Sequence, residues 1–174
     1  MTENNIFGGI SGFAPNYVIA NAWYVTHLWQ HYRYTLDKEY LAKAFPAMKG
    51  SSLFWADRMV LAADGTYECP NEYSPEHGPG SENAVAHAQQ IAWESIDNTI
   101  KAADILGGVE AGIITQEDYD LLKDRLEKMD RGLAIEQYEA NGSWPAERNG
   151  IKEGDNIIRE WKYSRFYASG DQGH

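Results

Sequence analysis

The stretch ENAVAHAQQIAWESIDNTIKAADILG, residues 82–107, decides the fold class of this chain. Its apolar residues recur at spacings of three and four, which predicts a helix over residues 82–106. One apolar stripe consists of Val85, Ala88, Ala92, Ile96 and Ala103, and a second set widens it: Ala84, Ile91, Ala102 and Ile105. A helix that is apolar over so much of its circumference is expected at the centre of its fold.

Further helical patterns lie on both sides of this stretch. Residues 16–35 are amphipathic, and Asp37 is a suitable N-cap for the next helix. Pro46 is expected to break or kink that helix and to begin a third segment. Thr115 and Asp118 resemble a capping box that opens another helix, which Gly132 is expected to end. The chain is therefore predicted to be all-α, with about five helices in antiparallel pairs and no credible strand.

Three segments lack helical periodicity. Residues 1–15 form an irregular lead-in, and residues 64–81 and 133–174 are long and rich in Gly, Pro and aromatic residues. Asp64 and Gly65 together indicate a turn. Each long segment follows the second helix of a pair, so both are expected at the same end of a helical array. We therefore predict that they build one site together.

Composition bounds the class of partner. The chain has 174 residues, enough for one domain, and a formal net charge of −11. That acidity argues against nucleic acid and anionic membranes as partners. No apolar run approaches the length of a membrane span, and the first residues lack the pattern of a signal peptide. The single cysteine, Cys69, is expected to be buried, and it leaves the compartment undetermined.

The loop CPNEYSPEHGPGSEN, residues 69–83, is both rigid and acidic. Glu76 follows a Ser-Pro pair that stiffens the backbone, and apolar neighbours would raise its pKa towards that of a general acid. On composition alone, a solvated loop carboxylate is the simpler interpretation of Glu76. Glu72 is predicted to be a solvated neighbour, and Glu82 a charge at a helix N-terminus.

Two histidines share one helix face. His27 and His31 are four residues apart, a spacing that occurs in zinc sites, and further ligands would come from His77 or His87. The glutamate of the metalloprotease motif is missing between them. A histidine pair that lines a polar groove is the simpler interpretation, and a metal-dependent helical protein remains an alternative.

Aromatic residues are numerous, with six tryptophans and eleven tyrosines. Core packing accounts for at least half of them. Aromatic faces beside polar side chains also suit the apolar faces and hydroxyls of sugar rings. The aromatic residues are therefore compatible with a carbohydrate ligand, and a non-catalytic carbohydrate-binding helical module is one alternative function.

Four segments in order resemble glycoside hydrolase family 95, the inverting α-L-fucosidases. They are NAWYVTHLWQHYRYTLDKEYL at residues 21–41, CPNEYSPEHG at 69–78, the stretch at 82–107, and IIREWKYS at 157–164. The resemblance extends over roughly residues 5–170, which is most of the chain.

The resemblance implies a fold, a reaction and site residues. The fold would be an (α/α)6 toroid, with residues 1–174 forming part of the catalytic domain. The reaction would be hydrolysis of α-L-fucosidic linkages in a fucosylated oligosaccharide or glycan with inversion, without metal or cofactor. Glu76 would be the general acid, and His27, Trp29, Glu160 and Trp161 would contact substrate. Related toroid enzymes that act on α-L-galactosides or other sugars are a close alternative.

The chain also departs from the family pattern. The toroid has twelve helices, and the family's Asn-x-Asn base motif and its activating aspartate find no match here. The chain is therefore expected to be an internal piece that carries the acid, lacks the base and is inactive alone. Helix faces such as 85–103 would be exposed in an incomplete ring, which predicts self-association. The longer parent protein is expected to be periplasmic or secreted.

Overall fold

The computed structural model describes residues 17–74, 80–138 and 150–164. The described chain is mostly helical, with helices α1 (Ala20–Thr35), α2 (Lys38–Arg58), α3 (Ala86–Leu106) and α4 (Gln116–Lys128). Two small antiparallel sheets pair β1 (Val60–Leu61) with β2 (Tyr67–Glu68), and β3 (Ile135–Gln137) with β4 (Asn156–Ile158). The all-α class and the helix pairs are confirmed, whereas the prediction of no strands is wrong. No described helix has the length and apolar character needed to cross a membrane.

Helix α3 is the centre of the fold, as predicted. It packs against α1, α2 and α4. The predicted stripe is fully buried, with 0% exposure at each of its five positions: Val85, Ala88, Ala92, Ile96 and Ala103. The expectation that this face is exposed is therefore wrong, because helices of the same chain cover it. Self-association of the chain stays a prediction.

A polar network lies inside the α2–α3 interface. The hydroxyl of Ser52, which is fully buried, lies 2.8 Å from Thr99 Oγ1 and donates to the Ser95 carbonyl at 3.1 Å. Small hydroxyl-bearing side chains allow the two helices to approach closely while each buried oxygen keeps a hydrogen-bonding partner. This explains why the central helix carries Ser95 and Thr99 on its buried side.

The helix boundaries follow local chemistry. The Asp37 carboxylate accepts a hydrogen bond from the Tyr40 amide at 3.0 Å, and the Thr115 hydroxyl accepts one from the Asp118 amide at 3.1 Å. Both predicted N-caps are thus confirmed. Gly107 ends α3 in the left-handed conformation, with φ of 106°. Only two residues connect α1 to α2, so these helices are antiparallel neighbours.

The predicted boundaries at Pro46 and Gly132 are wrong. Helix α2 continues through Pro46, because Pro46 and Ala42 face solvent and water can satisfy the carbonyl that proline leaves unpaired. Helix α4 ends at Lys128, before the predicted stop at Gly132. Gly132 instead lies against the start of α3, where an added Cβ would be 2.7 Å from the Ala86 carbonyl oxygen.

The predicted turn at residues 64–65 joins β1 to β2. Gly65 has φ of 85°, and Asp64 Oδ1 accepts a hydrogen bond from the Thr66 amide at 2.9 Å. The turn is therefore confirmed as a hairpin. Strands of two or three residues are too short for an alternating pattern, which explains why the sequence pattern did not reveal them.

The irregular segments gather at one end of the helical bundle, where α1 and α3 begin and α2 and α4 finish. We name this the loop end, and it consists of residues 59–74, 80–85, 129–138 and 150–164. Lys162 Nζ lies 2.7 Å from Glu68 Oε1 and 3.1 Å from Asp64 Oδ2. The predicted meeting of segments 64–81 and 133–174 is therefore present among the described residues.

Candidate active site

A loop closed at its base lies at the loop end. Glu72 and Glu82 exchange two backbone hydrogen bonds, of 3.0 and 3.1 Å, and so close residues 73–81 into a loop. The predicted general acid, Glu76, is in this loop but lies outside the described residues, as does His77. The described residues therefore define the two ends of the segment that contains Glu76.

The loop base holds two residues in a conformation that side chains disfavour. Asn71 has φ of 53° and Ala84 has φ of 55°. The Asn71 amide donates to Asn83 Oδ1 at 3.1 Å, and the Ala84 amide donates to the Cys69 carbonyl at 3.0 Å. Left-handed non-glycine residues cost on the order of 1 kcal/mol each and persist where the surrounding structure holds them. Such residues are frequent beside functional loops.

Residues 159–164 contact both ends of this loop, and we name them the strap. At the first end, the Ser74 hydroxyl donates a hydrogen bond to the Glu160 carboxylate. At the second end, Glu82 Oε1 accepts from the backbone amides of Tyr163, at 2.9 Å, and Ser164, at 3.4 Å. The strap therefore contacts the described chain on both sides of residues 75–79.

Lys162 anchors the strap. Its Nζ lies 2.7 Å from Glu68 Oε1, 2.8 Å from Asp130 Oδ2 and 3.1 Å from Asp64 Oδ2. Burial alone would lower the Lys162 pKa, but hydrogen bonds to these carboxylates outweigh it and raise the pKa above that of an ordinary lysine. The Tyr163 hydroxyl also donates to Glu68. Sequence patterns contained no signal for this cluster, since its members are far apart along the chain.

Glu72 is a buried carboxyl at the loop base, so the prediction that it is solvated is wrong. Its exposure is 0%, and Arg58 Nη2 lies 3.5 Å from its Oε1. Burial raises its pKa to about 7, against the opposing effects of the Arg58 charge and a hydrogen bond from the Ile19 amide. Glu82 lies before α3 and not in its first turn, so its predicted role as a helix-terminal charge is also wrong.

An aromatic and imidazole group lies where α1 and α3 begin. Tyr17 Oη and His87 Nε2 share a hydrogen bond, and the Trp23 ring meets the His87 ring edge-on at 5.5 Å. Burial lowers the His87 pKa and so favours the neutral imidazole. Burial, followed by the negative charge of Glu72, raises the Tyr17 pKa to about 12. Trp23 remains 45% exposed and offers an aromatic surface.

The predicted substrate contacts occupy different environments. Trp29 and Trp161 are buried, at 8% and 5% exposure, so their rings pack within the protein. Glu160 is half-buried and binds Ser74. His27 is exposed, with Nδ1 3.5 Å from Gln30 Oε1. A sugar contact at any of these four residues stays a prediction.

The predicted histidine pair lies on the surface of α1. The His31 ring packs against the Tyr40 ring at 4.0 Å, whereas His27 faces solvent. Within residues 17–74, 80–138 and 150–164, no group of three or more His, Cys, Asp or Glu side chains is arranged to hold a metal ion.

A sequence model of the glycosyl hydrolase family 95 catalytic domain matches residues 2–148 of this chain. The chain belongs to this family. The match includes all four helices and the loop of Glu76, so the helix pairs form part of the (α/α)6 toroid of a family 95 catalytic domain. The strap, residues 159–164, lies beyond the residues that the family model matches.

Three curated relatives are similar to this family 95 chain. "Probable alpha-fucosidase A" of Aspergillus niger is 28% identical over 154 residues, which is 84% of this chain and 17% of that protein. "Alpha-L-fucosidase 2" of Arabidopsis thaliana is 34% identical over 98 residues, 51% of this chain and 12% of that protein. "Kojibiose hydrolase" of Flavobacterium johnsoniae is 29% identical over 111 residues, 62% of this chain and 16% of that protein. The chain thus spans less than a fifth of the length of each of these relatives.

Proposed function

We propose that this chain is part of a glycoside hydrolase that cleaves α-L-fucosidic linkages with inversion and uses Glu76 as its general acid. The observation that carries the proposal is the family 95 match across a loop whose two ends are fixed by the Glu72–Glu82 pair and the strap. Two of the similar relatives have fucosidase in their names.

In the proposed step, Glu76 gives its proton to the glycosidic oxygen as the bond between the fucosyl C1 and that oxygen breaks. A water molecule attacks C1 from the opposite face and loses a proton to a general base, which we assign to no residue of this chain. This order of events inverts the anomeric configuration. A positioned general acid accelerates such a step by roughly 100- to 10,000-fold.

The decisive test uses Glu76→Gln in the full-length protein that contains these residues. The glutamine cannot donate the proton, so kcat should fall by roughly 100-fold or more on fucosides with poor leaving groups. α-L-Fucosyl fluoride needs much less proton donation and should lose little activity. Glu94→Gln, at an exposed position of α3, is the matched control and should keep the activity. An equal loss on both substrates, or no loss, would contradict the acid role.

The stereochemical outcome has its own test. Proton NMR of the first turnovers should show β-L-fucose before mutarotation, because an inverting enzyme converts an α-linked sugar to the β anomer. Early appearance of α-L-fucose would show retention and would contradict the proposed displacement by water.

Kojibiose is the second candidate substrate, because one similar relative is named as a kojibiose hydrolase. The comparison is kcat/KM for kojibiose, an α-L-fucoside and an α-L-galactoside, measured on one preparation of the full-length protein. A clear preference for the fucoside supports the first proposal. A preference for kojibiose or the galactoside would replace the fucoside as the proposed substrate. The acid role of Glu76 would still be tested separately by the Glu76→Gln variant.

A further inference from the structure

We propose that Glu160 is a positioning residue that orients the acid-bearing loop through Ser74, in place of the substrate contact that its sequence segment implies. The proposal rests on the proposed role of Glu76. Its basis is the hydrogen bond that the Ser74 hydroxyl donates to the Glu160 carboxylate. Ser74 lies two residues before Glu76 in the chain.

Ser74 is well placed to restrict the backbone direction at the start of this loop. It is buried, with 6% exposure, and the next residue is Pro75. Proline fixes its own φ and restricts the residue before it to extended conformations. Because these rotations are restricted, a fixed Ser74 hydroxyl limits the direction in which the chain enters the following segment.

Glu160 is itself held in place on the bundle. Its carbonyl accepts a hydrogen bond from the Ala86 amide at 2.9 Å, at the start of the central helix α3. Its neighbour Trp161 is buried, and Lys162 binds Glu68, Asp64 and Asp130. The carboxylate therefore links the loop to the most deeply packed helix of the fold.

The other end of the loop depends on the same strap. Glu82 accepts hydrogen bonds from the amides of Tyr163 and Ser164, and its backbone pairs with Glu72. One short segment thus sets both ends of residues 73–81. A positioning residue in this segment should affect the reaction through the placement of Glu76 and leave sugar binding largely intact.

The test is a double-mutant cycle of Ser74→Ala and Glu160→Ala in the full-length protein. Each single variant should lower kcat about 100-fold on fucosides with poor leaving groups, as expected for a displaced catalytic group, with KM nearly unchanged. The double variant should be no slower than the slower single variant, because both remove the same hydrogen bond. Glu160→Gln should recover most of the rate, since its amide oxygen still accepts.

A substrate contact at Glu160 gives a different result. Glu160→Ala would then raise KM, Ser74→Ala would have little effect, and the losses in the double variant would multiply. That result overturns the positioning role. Losses equal for α-L-fucosyl fluoride and poor leaving groups also overturn it, because the fluoride depends little on Glu76.

The same cycle measured by urea unfolding separates this inference from the proposed function. Coupling between Ser74 and Glu160 in unfolding reports their contact whatever the role of Glu76. If Glu76→Gln leaves kcat unchanged, the proposed function fails, and the positioning role falls with it. If Glu76→Gln abolishes turnover, but the Ser74→Ala and Glu160→Ala variants change the free energy of unfolding without lowering kcat, only the positioning role is overturned.

Discussion

Lys162 Nζ lies 2.7 Å from Glu68 Oε1, and this ion pair joins the strap to a strand 94 residues earlier in the chain. Glu68 is only 2% exposed, so its carboxylate has little water to replace a lost partner. Asp64 and Asp130 share the same ammonium group. The structural importance of Lys162 therefore comes from the burial of Glu68 and exceeds that of an ordinary surface ion pair.

Lys162→Met should destabilise the protein by about 3 kcal/mol, the scale for removing one partner of a buried ion pair. The free energy of unfolding is measured by urea denaturation near neutral pH. Lys101→Met is the matched control, because Lys101 forms an exposed ion pair with Asp97 one turn away on α3. The control should change stability by at most about 0.5 kcal/mol. Equal effects of the two substitutions would contradict the prediction.

Glu72→Gln should remove a pH dependence of stability. The carboxyl has a pKa of about 7 when folded, against an ordinary value of 4.5, so the folded state favours its neutral form. Glu72 therefore contributes about 3 kcal/mol to the free energy of unfolding. This contribution is complete below about pH 4.5 and is lost as the pH rises through about 7. Arg58, Tyr17 and Cys69 are the charged or titratable groups coupled to it.

The measurement compares urea unfolding of the wild-type and Glu72→Gln proteins between about pH 5 and pH 8. The difference between the two curves isolates Glu72 from His87, whose lowered pKa acts in the opposite direction. Stability of the wild type should fall with pH relative to the variant. Parallel curves would show that Glu72 titrates normally.

Gly132→Ala should be strongly destabilising. Gly132 has φ of 63°. An added Cβ would lie 2.7 Å from the carbonyl oxygen of Ala86 and 2.8 Å from the Cα of Ala86. Backbone strain and overpacking together should cost roughly 2–5 kcal/mol. Gly65→Ala is the matched control, since Gly65 has φ of 85° and open space around the added atom. Thermal unfolding of both variants should show the larger loss at Gly132, and equal losses would contradict the packing argument.

Cys69 should be unreactive in the folded protein. Its side chain is fully buried, and burial, followed by the negative charge of Glu72, raises the pKa of the thiol. Since the thiolate is the reactive form, labelling with a thiol-specific reagent should require unfolding. One thiol per chain should react in denaturing urea, and labelling in buffer should be much slower. Equal rates in the two conditions would show that the loop base opens readily.

Local sequence patterns predicted the parts of the fold that local chemistry determines. The wide apolar face of α3 predicted its central position, and side chains with the correct spacing predicted the N-caps at Asp37 and Thr115. The predicted break at Pro46 is wrong, because a proline on the exposed side of a packed helix is tolerated when tertiary contacts stabilise the turns around it.

Long-range contacts account for what could not be predicted. The burial of Glu72 depends on Arg58 and on the start of α1, and a single glutamate in a loop carries no periodic signal. Lys162 meets partners up to 98 residues away. The sequence indicated that two irregular segments would meet, but the contacts that hold them depend on the packing of the helices between them.

The bond between Ala86 and Glu160 has a consequence for the order of assembly. The four helices are complete at residue 128, and consecutive helices are joined by at most 27 residues, whereas the strap must close over more than seventy residues. Short closures cost less chain entropy and form earlier. In refolding followed by pulsed hydrogen exchange, helical amides should gain protection before those of Glu72 and Glu82. The contacts of the strap with Ser74 and Glu82 should then form last, and a chain truncated before residue 159 should keep its helices while losing these contacts.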